Sequence, residues 1–303
     1  MRRRDAQLAP VAGVVQRLAV LLAAGVAPAS AWQYLDAAST PVVGRIAESV
    51  AQGVPVASAV LAAVDGMPEH DARAWRGLAA AWRVATDSGA PLAPSLRQFA
   101  GSLRALADAQ REVATALAGP LATARMVMAL PAIGVLFGLA LGFDTIGTLV
   151  TTLPGVVCLV VGGVLMLAAR SWNRRLVASA QPADLTPGLR LELVAIAVSG
   201  GGSIDGALAS VEAALVEAGI PELGGNVEGI LELSRRAGVP AGELLRSEAE
   251  EARRTARSDA ATKAEVLAVK LMLPLGLCIL PAFMLVGVAP LLIAVISSTV
   301  TEF

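Results

Sequence analysis

The sequence is poor in the residues that usually carry catalysis, metal binding and nucleic-acid contact. Its 303 residues include one histidine, two cysteines and two lysines, and aromatic residues make up only 3%. A single histidine with no evident partner does not make a general-base site, and two cysteines within apolar runs supply neither a zinc cluster nor a disulfide framework. A net charge of −1 gives no basic field for phosphates. We therefore expect no enzymatic activity, no cofactor, no metal and no nucleic-acid partner.

Charged residues are also scarce, at 16% of the chain, while hydrophobic residues reach 55%. Soluble domains carry about 25% charged residues, so this excess of apolar side chains points to a membrane. Residues 126–169 contain a single charge, Asp144. Because one span needs about 20 residues, this stretch predicts two spans, 124–143 and 150–170, joined by a polar turn at 142–155.

A further uncharged stretch, residues 271–301, lies near the C-terminus. It predicts a third membrane helix over 266–298, either one kinked span or a helix followed by a re-entrant tail, with residues 299–303 outside. Proline is tolerated in such a helix where neighbouring groups satisfy the freed carbonyls. The prolines of this stretch are Pro274, Pro281 and Pro290.

The basic residues around these spans predict the orientation of the chain. Arginines and lysines flank the spans on one side, whereas the 142–155 turn and the final residues carry none. By the positive-inside rule, the N-terminus and both soluble segments, 1–123 and 171–265, are cytoplasmic, and the C-terminus is exterior. The expected architecture is all-α, with two cytoplasmic helical-bundle repeats, a membrane hairpin at 124–170 and a C-terminal membrane helix.

Both soluble segments contain helix corners of one plan, in which an apolar helix ends at glycine and a new helix starts after proline or small residues. Glycine supplies the left-handed cap, and proline fits the first turn of the next helix. Two alignments indicate an internal repeat whose second copy lacks the middle corner. The first places "LAVLLAAGVAPASAW" against "LVAIAVSGGGSIDGAL", and the second places "SGAPLAPSLRQFA" against "AGVPAGELLRSEA". The corner residues are Gly25, Gly53, Gly89, Gly201, Gly238 and Pro240.

The stretch "LAVLLAAGVAPASA", residues 18–31, also resembles a secretory signal peptide, with a basic start, a short apolar run and an A-x-A end. A related helix and corner recur at 193–208, deep in the chain. We therefore interpret residues 18–31 as the first helix and corner of the first repeat, retained in the mature protein.

The most charged stretch, "ELLRSEAEEARRTARSDAATKAEVLAVK", leads into the third span. It is typical of a solvated helix, but it also suits a docking surface for a cytoplasmic partner. The candidate docking residues are Arg235, Arg236, Glu250, Arg253, Arg254 and Arg257.

Two helical repeats with such corners, each leading into a membrane, resemble the inner-membrane platform proteins of type II secretion and type IV pilus machines. The run "VKLMLPLGLCILPAFMLVGVAPLL" is the most specific part and resembles the tight-adherence (Flp) pilus branch. The membrane-helix residues that carry this likeness include Pro274, Pro281, Phe283 and Pro290.

This resemblance implies a non-enzymatic scaffold that couples a cytoplasmic hexameric ATPase to the assembly of pilins or pseudopilins. It further implies a second platform subunit or a second copy of the chain as partner, besides the lipid bilayer. The alternative from another class is a small-solute permease or permease subunit. Against it, the spans offer almost no polar or ionisable lining, which usually marks a transport path.

Overall fold

A computed structural model describes residues 8–35, 41–142, 145–179, 187–221, 224–290 and 292–293. Every regular element in these ranges is helical, so the expected all-α class is confirmed. The first soluble segment contains α1 (Leu8–Ala23), α2 (Pro28–Ala31), α3 (Pro41–Ala51), α4 (Val56–Ala63) and α5 (Glu69–Ser88), and α6 (Leu92–Ala140) follows. The remaining helices are α7 (Thr145–Thr151), α8 (Leu153–Ser179), α9 (Leu189–Ser199), α10 (Ile204–Glu217), α11 (Val227–Ala237) and α12 (Ala241–Lys270), after which residues 272–288 stay helical.

The chain forms two compact units, and each is assembled from two separate parts of the sequence. Unit 1 comprises Met1–Arg111 and Pro182–Ser258, and unit 2 comprises Glu112–Gln181 and Asp259–Phe303. The long helices α6 and α12 each contribute residues to both units.

Unit 1 has one hydrophobic core that both soluble segments build together. Side chains of α1, α5 and α6 lie in the same cluster as those of α9, α10 and α11. Trp32 and Trp82 pack within it, with ring centroids 5.9 Å apart and planes tilted by 49°. The sequence pattern predicts one helical bundle for each soluble segment, whereas in the structure the two segments form a single core. Sharing one core buries apolar faces of α5 and α9 that a separate bundle would leave exposed.

The corner glycines of unit 1 follow helix ends and have left-handed backbone angles. Gly25, at φ +88°, ends α1 in a Schellman arrangement: its N–H donates to Leu22 O at 3.1 Å, and Val26 N–H donates to Leu21 O at 3.0 Å. The angles at the other four corners are +88° at Gly53, +70° at Gly89, +83° at Gly201 and +65° at Gly238.

The corner at Gly201 has no proline, and a serine begins the next helix instead. Ser203 caps α10, and its Oγ accepts a hydrogen bond from Gly206 N–H at 3.1 Å. Such a cap satisfies one of the N–H groups that a helix start leaves without an intrahelical partner.

Unit 2 carries its large apolar side chains on the outside, the reverse of unit 1. Leu153 is 83% exposed and Leu167 is 69% exposed, and an apolar surface of this extent suits lipid rather than water. Among the described residues, two helices are long and apolar enough to cross a membrane, Leu153–Val177 and Ala241–Val288. The count rises to three if Met126–Ala140 and α7, which are bent by 115°, form one span.

The predicted polar turn at 142–155 contains more regular structure than expected. Thr145–Thr151 is a short helix, and α8 already begins at Leu153. Threonine hydroxyls donate to carbonyls one turn back, as Thr152 Oγ1 does to Thr148 O at 2.6 Å. This local bonding satisfies the hydroxyls within the helices, so the polar composition does not break them. Asp144 and residues 294–303 lie outside the described residues.

The C-terminal membrane helix is continuous through Val288 but changes its winding twice. Residues 275–279 and 284–288 are π-helical, and each stretch ends two residues before a proline, Pro281 and Pro290. A proline lacks the N–H donor and its ring collides with the carbonyl four residues earlier. Widening the preceding turn relieves that collision, which favours one kinked helix over the described part of this stretch.

Candidate functional site

Glu192 is the most deeply buried carboxylate among the described residues of unit 1. It lies in α9, whose residues from Leu191 to Ala197 are all buried, and it is itself 1% exposed. Sequence reasoning did not single it out. The available signal was a lone acid in the otherwise apolar run "LELVAIAV", because a charge at such a position requires a partner.

Two helices, α6 and α12, supply partners for the carboxylate. From α6, Ser102 Oγ donates to Glu192 at 2.9 Å from Oε2 and 3.1 Å from Oε1. From α12, Arg253 Nη1 lies 3.1 Å from Oε2. The Arg253 side chain is only 11% exposed, so both charges of this pair are largely removed from water, where charge-assisted bonds are strongest.

A second contact joins the same two helices, one turn away on α6 and two turns away on α12. Arg246 Nε of α12 donates to Gln98 Oε1 of α6 at 3.0 Å. Gln98 and Ser102 are four residues apart, and Arg246 and Arg253 are seven apart, so each pair shares one helix face. We call Gln98, Ser102, Glu192, Arg246 and Arg253 the buried polar cluster; it ties α6, α9 and α12 together.

Burial raises the pKa of Glu192 above its ordinary value, because desolvation penalises the carboxylate. Arg253, Ser102 and Arg246 act in the opposite direction by stabilising the charge. Desolvation outweighs them, because the carboxylate is almost fully removed from water. The cluster contains no histidine or thiol that could serve as nucleophile or base, and its geometry is that of a structural ion pair.

The predicted docking residues divide into an exposed group and one buried member. Arg253 departs from the prediction, because its guanidinium is turned inward to Glu192 rather than outward to a partner. The exposed members are Arg235, Arg236, Glu250, Arg254 and Arg257. Among them, Arg254 Nη2 lies 3.4 Å from Glu250 Oε2, and Arg235 pairs with Glu232 at 3.0 Å; such exposed pairs are weak and open readily to another charge.

One residue of the membrane-helix motif, Phe283, lies at a close helix contact within unit 2. A Cβ on Gly134 of α6 would stand 2.9 Å from Gly287 Cα and 3.3 Å from Phe283 Cε2. Glycine is therefore needed for this approach, as is common between membrane helices. Pro274 and Pro290 are buried, and Pro281 is partly buried.

A metal or cofactor site does not emerge from the part of the chain that the structure describes. No group of three or more His, Cys, Asp or Glu side chains there could hold a metal ion. The only histidine, His70, lies in the first turn of α5, and its side chain is outside the described residues.

Comparison with known proteins identifies the class. Residues 14–140 match the family model of the type II secretion system (T2SS), protein F. This segment starts within α1, contains the rest of the first soluble segment and ends with α6. This part of the chain is therefore similar to the T2SS F domain, and that domain indicates a family of secretion and pilus inner-membrane platforms. Searches of curated proteins and of solved structures returned no match.

Proposed function

We propose that the chain is the inner-membrane platform of a tight-adherence (Flp) pilus or a related T2SS-like machine, where it couples a cytoplasmic ATPase to pilin assembly. The observation that carries the proposal is the F domain at 14–140, which joins a soluble helical core to the membrane-type helix α6. The Flp branch is supported by the proline-rich C-terminal helix, whose π-turns precede Pro281 and Pro290.

In this role the chain performs no chemistry of its own, and the energy comes from the partner ATPase. The exposed charges of α11 and α12 suit transient electrostatic docking, because exposed ion pairs cost little to rearrange. We propose that this surface, made by Arg235, Arg236, Glu250, Arg254 and Arg257, meets the ATPase. A second platform subunit or a second copy completes the platform beside the pilin or pseudopilin.

Site-specific crosslinking in cells tests the docking surface. A photo-crosslinking amino acid is placed at position 254 or 257, with position 17 on α1, which is also exposed, as matched control. We expect a crosslink to a hexameric secretion ATPase from 254 or 257 but not from 17. Crosslinks of equal strength from all three positions, or none to an ATPase, would contradict the docking surface.

Deletion of the chain tests the function itself. We expect surface fibres or secreted substrate to disappear, with uptake of small solutes unchanged. Normal fibres combined with the loss of uptake of one solute would favour a permease instead.

Cysteine accessibility tests the proposed orientation, with cytoplasmic soluble segments and an exterior turn. In a background carrying Cys158→Ser and Cys278→Ser, cysteine is placed at position 151 in α7 or at position 258 in α12, both exposed. A membrane-impermeant thiol reagent should label position 151 in intact cells and position 258 only after permeabilisation. The opposite pattern would reverse the proposed orientation.

A further inference from the structure

The buried polar cluster joins helices whose apolar contacts alone fix their relative position along the helix axis only weakly. In the part of α12 that belongs to unit 1, the fully buried apolar residues are Leu245 and Ala249. On the α9 side, every residue from Leu191 to Ala197 is buried, and Glu192 is the only charged one. Apolar burial is not directional, so it fixes the alignment of two helices less strictly than a charge pair does.

The close approach of Gly188 to α12 places a small residue, Ala249, at the contact. A Cβ on Gly188, just before α9, would lie 2.7 Å from Ala249 O and 3.1 Å from Ala249 Cα. These are backbone atoms of α12, and helix backbone repeats with every turn. One turn away from Ala249 stand Leu245 and Arg253, so a shift of α12 by one turn would bring a larger side chain to this contact.

Charge also distinguishes the turns. If α12 moved by one turn so that Ala249 faced Glu192, the buried carboxylate would lose its cation. If it moved one turn the other way, Arg257 would reach Glu192, but Arg253 would enter the fully buried place of Ala249 without a carboxylate. Either displacement leaves one buried charge unpaired, which is strongly unfavourable.

We propose that the Glu192–Arg253 pair is a register lock, which fixes the one turn of α12 that can face α9 and α6. Its role is specificity rather than net stability, because a buried ion pair can often be replaced by apolar side chains without loss of stability. Both α6 and α12 continue beyond unit 1 as unbroken helices. The lock thereby sets the axial position at which α12 leaves unit 1. The inference concerns the fold and does not depend on the proposed function.

The test measures alignment and stability separately in the full-length chain in detergent micelles. Spin labels are attached at positions 97 in α6 and 250 in α12, both exposed, in the background lacking Cys158 and Cys278. The variant E192L/R253M removes both charges and keeps side chains of similar size. Distances between labels are measured by double electron–electron resonance, and the unfolding temperature is recorded in parallel.

We expect one narrow distance distribution in the otherwise unaltered chain. In E192L/R253M we expect a broadened or second distribution, displaced by up to about one helical turn of 5.4 Å, at an unfolding temperature equal to or above the original. The matched control is E232A/R235A, which removes an exposed pair of α11 and should leave the distribution narrow.

Two results would overturn the register lock. One is an unchanged narrow distribution in E192L/R253M, because the alignment would then be set by packing alone. The other is a large fall in the unfolding temperature of this double variant, because the pair would then be required for folding itself. Each result is read independently of pilus assembly, secretion or ATPase binding.

Discussion

Arg83 of α5 and Glu217 of α10 form an ion pair, with Nη1 2.8 Å from Oε2, across 134 residues of sequence. The pair lies at the surface above the common core of unit 1, where α5 packs against both α9 and α10. Arg83 also bonds Asp87 at 2.7 Å, and these two carboxylates raise its pKa. The two soluble segments are thus joined at their surface as well as through their core, and changes in one segment should destabilise the whole of unit 1.

The first prediction concerns the buried guanidinium. Arg253→Ala leaves the Glu192 carboxylate in the core without its cation, and we expect the free energy of unfolding to fall by about 3–5 kcal/mol. Chemical unfolding of the detergent-solubilised chain, followed by tryptophan fluorescence, measures the loss, because Trp32, Trp75 and Trp82 all lie buried in this core.

Arg235→Ala is the matched control for that change. Its partner Glu232 lies 3.0 Å away, but both side chains are more than half exposed, so the loss should be below about 1 kcal/mol. Equal losses of unfolding free energy in the two variants would show that the buried pair of Glu192 and Arg253 matters no more to stability than an exposed pair.

The second prediction concerns backbone strain at the first corner. Gly25 has φ +88° and no atoms near the position of an added Cβ, so Gly25→Ala introduces strain without a collision. We expect it to destabilise unit 1 by about 1–2 kcal/mol, measured as above. In Gly101→Ala, within helix α6, the added Cβ also meets no atoms, and there the change should stabilise by about 0.5–1 kcal/mol. A stabilising effect at both positions would contradict the left-handed corner.

The sequence was sufficient for the features that are encoded locally. At the five corners, glycine followed within two or three residues by proline or a capping serine marked the helix end, so their positions could be read from a few residues. The pattern is not sufficient by itself, because Gly119 and Pro120 lie within α6. The apolar stretches indicated membrane helices because a span depends on length and hydropathy alone. The helical character of Thr145–Thr151 was missed, because its threonines satisfy their hydroxyls within the helix.

The features that depend on distant residues could not be predicted in the same way. The merger of the two soluble segments depends on which faces of α5 and α9 meet, and the residue pattern of either helix does not specify its partner. Arg253 looks like its neighbours Arg254 and Arg257 in the sequence. Only the carboxylate of Glu192, 61 residues earlier, turns it inward.

The third prediction follows from the raised pKa of Glu192. Below its ordinary pKa of 4.5, the carboxyl is protonated in both the folded and the unfolded chain. As pH rises further, the unfolded chain loses this proton first while the folded chain retains it. The contribution of Glu192 to stability therefore declines from about pH 4.5 up to the raised pKa of the folded state, and is lost above it.

Glu192→Gln provides the comparison, because glutamine keeps the shape of the protonated carboxyl and does not titrate. All other groups titrate alike in both proteins. We expect the unfolding temperature of the unaltered chain, minus that of the variant, to decrease as pH rises through this window. A difference that grows with pH would mean that Arg253 and Ser102 outweigh burial and lower the pKa instead.

The fourth prediction concerns the close helix contact of unit 2. In Gly134→Val, the new Cβ would meet Gly287 Cα at 2.9 Å, and a backbone atom cannot yield as a flexible side chain would. We expect the two helices to separate, with a loss of thermal stability and faster proteolysis of unit 2, because packing rather than hydrophobic burial holds membrane helices together.

Gly163→Val is the control for that change. Gly163 lies in the membrane helix α8, and its added Cβ would meet no atom within 4 Å, so valine there should leave stability and proteolysis near those of the unaltered chain. Valine at both positions makes the same change in hydropathy, which separates the effect of close packing from that of membrane insertion. If Gly134→Val were as stable as Gly163→Val, the helices would not meet at Gly134 and Gly287 in the membrane.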